Sequence, residues 1–214
     1  MVALAALLFT PVASAQNVAV RAKVDKPDFD ALPSPEFGGN TDLKKFNPKD
    51  WLIVEVEFEI DAREDGDKPD FVDELEFVYY VAVENGNRSK TNPAEFLLME
   101  KSVKHVNIPV GEKVYSAIFL SPSSVKRISG GERAGKNIIK SVAVVVKYQG
   151  RAVGGSGTEG DVAKDGRTKP NAWWTQLGGT KLMRTEKIPL LAKKETPFAP
   201  LWWDRYAEPK EERR

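Results

Sequence analysis

Residues 51–60 read WLIVEVEFEI, and residues 73–84 read DELEFVYYVAVE. In the first segment, valine, phenylalanine and isoleucine alternate with glutamate from Val54 to Ile60, a two-residue period typical of a strand with one buried face. In the second segment, leucine, phenylalanine, tyrosine and valine again occupy every second position. A helix would instead spread the glutamates around its circumference. The two segments are therefore predicted to be the central strands of the core.

The charges of these two strands indicate how the strands are arranged. If they were antiparallel neighbours, glutamates of the first strand would face Glu74 and Glu76 across the pair. Like charges directly opposite each other destabilise a sheet. Placing the strands in two different sheets removes the repulsion and lets the apolar faces meet. This arrangement, found for the second and third strands of immunoglobulin-like domains, predicts an all-β sandwich.

The rest of the chain favours the same class. Further strands are predicted at residues 17–24, 94–107, 113–120, 138–148, 151–157, 172–177 and 181–189, with a helix start as the alternative within 94–107. The capping residue Ser121, followed by Pro122, predicts a short helical turn over residues 123–128. Prolines and a glycine pair predict a long surface connection without strand pairing over residues 26–50. The total is about eight strands without the spacing of βαβ units.

Composition and the first residues predict an exported protein. The chain has 32 Lys and Arg against 31 Asp and Glu, interspersed, so no basic surface for nucleic acid is expected. Residues 1–15 form an apolar run ending in a small-x-small pattern, which predicts a signal peptide with Gln16 as the first mature residue. Because the run lacks an initial Lys or Arg, a buried N-terminal strand or helix is the alternative. Residues 16–207 are predicted to form a single domain, and residues 208–214 a disordered charged tail. With no cysteine, neither disulfides nor thiolate sites can form.

Three candidate catalytic or nucleotide-binding patterns lack the context that their chemistry requires. Residues 130–136 resemble a phosphate-binding loop, but Asn137 stands where a hydroxyl must reach magnesium, and a strand is predicted to follow. Residues 155–160 fit G-x-G-x-x-G by letter, but a loop follows instead of a helix. His105 is the only histidine, and its neighbours suggest no partnered base. The chain is therefore predicted not to be an enzyme.

One acidic turn is a candidate cation site. Acidic residues crowd residues 61–73, and their oxygens are ligands that calcium accepts, although the spacing is not that of an EF-hand. The candidate ligands are Asp65, Asp67, Asp70 and Asp73. A solvated acidic turn is the alternative interpretation, and no other cofactor is expected.

Two places are candidate contact sites for a partner or a glycan. Trp173 and Trp174 are adjacent on a predicted strand, so one of them is expected to point outward, where it would stack on a sugar or bind a protein. The alternative is that the aromatic segment 198–206 folds back and covers this tryptophan. Val153 lies on a glycine-containing strand that is predicted to be a sheet edge, where strand addition takes place.

Three segments together resemble a known family. They are residues 65–84 (DGDKPDFVDELEFVYYVAVE), 171–177 (NAWWTQL) and 195–206 (ETPFAPLWWDRY). In these the chain resembles the exported, fimbrial, immunoglobulin-like proteins that Verrucomicrobia such as Akkermansia encode in pilus-like gene clusters. The resemblance spans residues 17–207. A type IV pilin subunit needs a basic leader and a long apolar helix, and residues 2–15 are too short and uncharged for that.

The resemblance implies a structural or interaction protein of a pilus-like assembly. It would be located in the periplasm, at the outer membrane or on the cell surface, and its partners would be other pilus or envelope proteins. The alternative function is an exported glycan-binding module that uses exposed tryptophans.

Overall fold

The computed structural model describes residues 18–37, 47–64, 66–91, 93–131 and 135–211. These residues form eleven strands, namely β1 (Val18–Val24), β2 (Asp28–Pro33), β3 (Asp50–Glu64), β4 (Phe71–Glu84), β5 (Phe96–Pro109), β6 (Lys113–Leu120), β7 (Ile139–Tyr148), β8 (Arg151–Gly157), β9 (Leu182–Arg184), β10 (Leu191–Ala192) and β11 (Glu208–Pro209). The helix α1 (Pro122–Ser129) follows β6, and 3-10 turns occupy Lys136–Ile138, Trp173–Thr175 and Lys193–Glu195. None of the helices in these ranges has the length and apolar character needed to cross a bilayer. The predicted signal peptide lies outside the described residues.

The strands form two sheets. Sheet I has the order β1-β3-β6-β10, with β2 also paired to β3. Sheet II has the order β11-β5-β4-β7-β8, with β9 also paired to β5. The pairing is antiparallel between these strands except that β9 runs parallel to β5. The predicted all-β sandwich is confirmed, with more strands than the eight or so expected.

The core lies between β3 and β4, as the alternation predicts. The two strands belong to different sheets, and the rings of Phe58 and Phe77 meet between them with centroids 4.6 Å apart. Both side chains are 1% exposed or less. Separating the strands keeps their glutamates apart, while the apolar faces lose contact with water.

Helix α1 begins and ends where its sequence indicates. The hydroxyl of Ser121 accepts a hydrogen bond from the backbone N–H of Ser124, and Pro122 occupies the first helical turn. Val125 and Ile128 face the core. Gly130 ends the helix in the left-handed conformation, at φ 71°. The phosphate-loop-like segment 130–136 thus starts at a helix end, and its residues 132–134 lie outside the described residues.

Three regions differ from the predictions. The connection predicted over residues 26–50 contains β2, which pairs with β3 from Asp28 to Pro33. The predicted strand at 172–177 is instead a 3-10 turn, and that at 181–189 is reduced to β9. The charged tail begins with β11, which pairs with β5, so its first residues are ordered. Short strands of this kind show no periodicity of their own, because they depend on a partner that is distant in sequence.

The sandwich is closed on the side where β1 and β8 meet. A Cβ atom on Gly154 would lie 2.1 Å from the carbonyl oxygen of Ala22, so only glycine allows this approach. Gly155 and Gly157 also lie within β8. Two glycines of the dinucleotide-like pattern, Gly155 and Gly157, thus belong to a closely packed strand, and the pattern lacks the helix that a dinucleotide needs.

Candidate partner-binding cleft

The side of the sandwich opposite to the β1–β8 contact contains a cleft of about 980 Å³. One wall is the outer edge of β5, from Lys101 to His105. The other wall consists of Ala192 at the end of β10, the turn Lys193–Glu195 that follows it, and the side chains of Trp203 and Tyr206. This volume is at the upper end of the range for sites that bind ligands.

The outer edge of β5 is only partly paired. Strand β9 pairs with it up to Leu98, and β11 pairs with it at His105 and Val106. Beyond these strands, Lys210 N donates to the carbonyl oxygen of Lys104, at 2.9 Å. Between Leu98 and Lys104, no strand of the described chain pairs with this edge.

The direction of the free backbone groups follows from the period of the strand. Phe96 N donates to a carbonyl on the β9 side, and the carbonyl oxygens of Leu98 and Lys104 accept from the outer side. The register of β5 with β4 is unbroken from Phe96 to Lys104. Alternate residues of a strand direct their N–H and C=O groups to the same edge, so those of Glu100 and Ser102 point outward into the unpaired gap. Both residues are exposed.

The cleft is rich in lysine. Its lining residues include five lysines, Lys101, Lys104, Lys193, Lys194 and Lys210, against two glutamates, Glu195 and Glu211. Lys101 Nζ lies 2.7 Å from Glu195 Oε2 and joins the two walls. Lys104 and Lys210 both contact Glu74 on β4. These hydrogen bonds lower the pKa of Glu74, with Lys210 contributing most.

His105 forms part of the cleft floor and is a structural residue. It is 5% exposed, and burial lowers its pKa from 6.5 to about 4, so the ring is neutral at pH 7. Its Nδ1 lies 3.1 Å from the carbonyl oxygen of Ala207, which can only accept, so Nδ1 carries the proton. Nε2 then accepts from the hydroxyl of Ser116, at 2.8 Å. Ser116 is fully buried, which is unsuitable for a nucleophile.

The aromatic C-terminal segment packs on the outer face of sheet I. Phe198 stacks on Phe119 with centroids 5.2 Å apart and meets Trp51 edge to face. Tyr206 Oη donates to Glu55 Oε2 at 2.6 Å, and Arg205 also donates to Glu55. The glutamate face of β3, which the alternation predicts to be solvent-facing, therefore holds the chain that forms one wall of the cleft.

Trp173 and Trp174 lie elsewhere, on the outer face of sheet II. Trp174 is 6% exposed and stacks on Tyr80 with centroids 4.8 Å apart, and Trp173 is half-buried against it. The segment 198–206 does not cover them, since it lies on the other sheet. The exposed tryptophans of the segment 198–206 are Trp202 and Trp203, and Trp203, 58% exposed, lines the cleft.

The other predicted contact site, at Val153, lies on the closed side. β8 ends the hydrogen-bonded order of sheet II, and Val153 is half-buried against the core. The loop that follows β8 approaches this edge, since a Cβ on Gly166 would lie 2.6 Å from the carbonyl oxygen of Gly154. The edge at β8 is thus more crowded than the edge at β5.

The candidate cation ligands of the acidic turn lie only partly within the described residues. Asp65 lies outside them, and Asp67 exchanges backbone hydrogen bonds with Glu64. No group of three or more histidine or acidic side chains that could hold a metal ion is found in the described ranges, and Asp70 and Asp73 belong to none.

A protein-family model matches residues 13–213. The chain is also similar to a protein from Akkermansia muciniphila of known crystal structure, with 33% sequence identity and a TM-score of 0.76, covering 92% of this chain and 96% of that one. The chain belongs to the same family as this Akkermansia protein. A search of curated proteins gives no match.

The structural match confirms the part of the sequence resemblance that concerns kinship with an Akkermansia protein. The cleft itself was missed by sequence reasoning. The lysine pair Lys193-Lys194 and the tryptophan pair Trp202-Trp203 are visible in the sequence. Their position opposite β5 depends on a chain reversal and on hydrogen bonds to β3, which no local pattern contains.

Proposed function

We propose that the chain is a non-enzymatic interaction protein of a pilus-like assembly in the cell envelope, and that a partner adds an extended segment to the outer edge of β5. The observation that carries this proposal is the unpaired gap between β9 and β11, into which the N–H and C=O groups of Glu100 and Ser102 point, with Ser102 also lining the cleft. Unpaired edges of this kind are templates for a further strand.

The dimensions of the gap support strand addition. The gap extends from Leu98 to Lys104, which at about 3.4 Å per residue is roughly 20 Å of strand. Strands β9 and β11 limit it at both ends, so an added segment would be short and held in one register. The cleft beside the gap provides space for its side chains.

The resemblance to fimbrial proteins supports the proposed location in the cell envelope. The residues 65–84, 171–177 and 195–206 resemble fimbrial proteins of pilus-like gene clusters, and the family is shared with an Akkermansia protein. The apolar residues 1–15 fit export. A non-enzymatic role fits the chemistry of the cleft, where the hydroxyl of Ser116 is inaccessible and His105 is occupied by structural hydrogen bonds.

A proline at Ser102 tests strand addition. The N–H of Ser102 points outward and is not used in pairing with β4, so Ser102→Pro removes a donor for the partner without removing one from sheet II. The assay shears surface filaments from cells that produce the protein and measures how much of it is in the filament fraction. We expect wild type in this fraction and S102P to be at least about tenfold depleted there. The proline removes a hydrogen bond to the added strand, and its ring blocks the edge where that strand would pair.

Ser102→Ala is the matched control. It removes the hydrogen bond from Ser102 Oγ to Glu76, as proline also does, but keeps the backbone N–H. S102A should accumulate in the filament fraction like wild type, and circular dichroism should show all three proteins folded. Folded S102P that remains in the filament fraction at the wild-type level would contradict strand addition at β5. Absence of the wild-type protein from that fraction would contradict the role in a surface assembly.

A further inference from the structure

The positive charge of the cleft is not fully neutralised by its own residues. Lys101 is paired with Glu195, and Lys104 and Lys210 contact Glu74. Lys194 Nζ donates to the carbonyl oxygen of Lys210, at 2.9 Å, which provides a hydrogen bond but no negative charge. Lys193 likewise donates to a carbonyl oxygen and not to a carboxylate, and it is more buried than Lys194.

Lys193 is a half-buried cation between aromatic rings. Its Nζ lies 5.2 Å from the ring centroid of Tyr206 and 5.6 Å from that of Trp203, and it donates to the carbonyl oxygen of Ala199, at 2.9 Å. Burial lowers its pKa. No carboxylate of the described residues forms an ion pair with it.

Such a position favours a negatively charged ligand. Losing water without gaining an opposite charge is unfavourable for an ammonium group, so an arriving carboxylate would regain part of that free energy. The ring of Trp203, which is 58% exposed, would shield the resulting pair from solvent on one side. The excess of lysine over glutamate along the cleft acts in the same direction.

We propose that the segment added to β5 is an acidic one, which places an Asp or Glu carboxylate on Lys193 Nζ. This inference rests on the proposed strand addition. Ser102, whose backbone groups are open, and Lys193, whose ammonium is not neutralised, line the same cleft on opposite walls. An extended peptide uses both, since its backbone pairs with β5 while alternate side chains point toward the wall formed by sheet I. The occupant is thus an extended acidic segment of another envelope protein.

Two synthetic peptides separate the backbone contribution from the charge contribution. The first has the sequence Thr-Val-Thr-Glu-Val-Glu-Thr-Val-Thr, the second has Gln in place of each Glu, and both are blocked at their ends. Binding to the mature protein is measured by calorimetry at low and at 0.5 M salt, about three times physiological. We expect the Glu peptide to bind about tenfold more tightly than the Gln peptide at low salt, with the difference reduced at high salt.

Two lysine variants show where the charge acts. Lys193→Gln keeps a donor for the carbonyl oxygen of Ala199 and removes the charge, so it should lose most of the preference for the Glu peptide. Lys164→Gln makes the same change on an exposed loop beyond β8, on the closed side, and should retain the preference for Glu. A variant of the protein that ends at Glu211 should bind the two peptides as wild type does. This result would show that the residues after Glu211 do not compete with the peptides for the cleft.

The outcomes distinguish this inference from the proposed function. Equal binding of the two peptides to wild type, abolished by S102P, would overturn the acidic preference and keep strand addition. A Glu preference that K193Q retains would also overturn the inference. Binding of neither peptide, or binding unaffected by S102P, would overturn both. If light scattering shows that the protein alone is a dimer and the Glu peptide dissociates it, the occupant is a second copy, and the assignment to another protein is wrong.

Discussion

His105 links the two sheets through a hydrogen-bonded pair in the core. It lies on β5 of sheet II, and its partner Ser116 lies on β6 of sheet I. Its other ring nitrogen holds the carbonyl of Ala207, which directly precedes β11. A buried imidazole of this kind must remain neutral, because its charged form would lose its water without gaining an anion. The stability of the fold therefore depends on pH through this residue.

We predict that acidification weakens the fold in a defined window. The pKa of His105 is lowered from 6.5 to about 4, so below pH 6.5 the unfolded chain binds a proton that the folded chain does not. The free energy of unfolding should fall between pH 6.5 and about 4, by up to about 3 kcal/mol, and this contribution is fully retained above pH 6.5. Chemical denaturation at a series of pH values measures it.

His105→Gln is the control for this window. Glutamine keeps a donor and an acceptor but does not titrate, so its stability should change much less between pH 6.5 and 4. The pKa of Glu57 is lowered by hydrogen bonds from Lys113 and Tyr115, and that of Glu74 by Lys210 and Lys104, so their contributions are lost only at lower pH. An equal slope in wild type and H105Q would contradict the assignment to His105.

Equivalent positions in the sequence pattern have different surroundings in the structure. Glu55 and Glu57 follow the same alternation as Glu59, yet Glu55 binds Tyr206 and Arg205, and Glu57 binds Lys113 and Tyr115. The period of the strand predicts correctly which face these carboxylates occupy. It contains no information about which distant chain segment arrives on that face, because the partners are far away in sequence: 56 and 58 residues for Glu57 and 151 residues for Tyr206 on Glu55.

The long strands were predictable and the short elements were not. β3, β4, β6 and β7 each have enough alternating or β-branched residues to show their class and approximate bounds. β9, β10 and β11 have two or three residues each and exist because a neighbouring strand offers hydrogen bonds. Trp173 and Trp174 were misassigned to a strand because a 3-10 turn of three residues has no detectable period. The cleft depends on these short elements.

Phe198 is the buried aromatic anchor of the segment between β10 and β11. Phe198 is 1% exposed and packs between Phe119 and Trp51. Phe198→Ala should lower the free energy of unfolding by about 3 to 5 kcal/mol, because it removes a buried ring and leaves a cavity. Urea denaturation followed by circular dichroism measures this loss.

Trp203→Ala is the comparison within the same segment. It removes an even larger ring, but one that is 58% exposed, so the stability should change by less than about 1 kcal/mol. If F198A and W203A lower the free energy of unfolding by comparable amounts, Trp203 contributes to the buried contact. That result would contradict the exposed position of Trp203 in the wall of the cleft.

The two sides of the sandwich differ, and only one of them offers an open strand edge to a partner. One side is closed, because β1 and β8 approach as near as Gly154 and Ala22 allow. The other side holds the cleft, with an unpaired stretch of β5 facing the segment after β10. Natural sheets generally cover or shorten their edges, and here β9 and β11 shorten this one without closing it. An edge left open between two short strands is a place for an added strand.

Backbone hydrogen exchange, followed by NMR with and without the Glu peptide, tests strand addition most directly. The amides of Lys101 and Val103 point toward β4 and should exchange slowly in both states, whereas those of Glu100 and Ser102 should exchange rapidly in the free protein and slowly in the saturated complex. Glu100 and Ser102 amides that are already protected in the free protein, or that remain rapid in the saturated complex, would contradict the account.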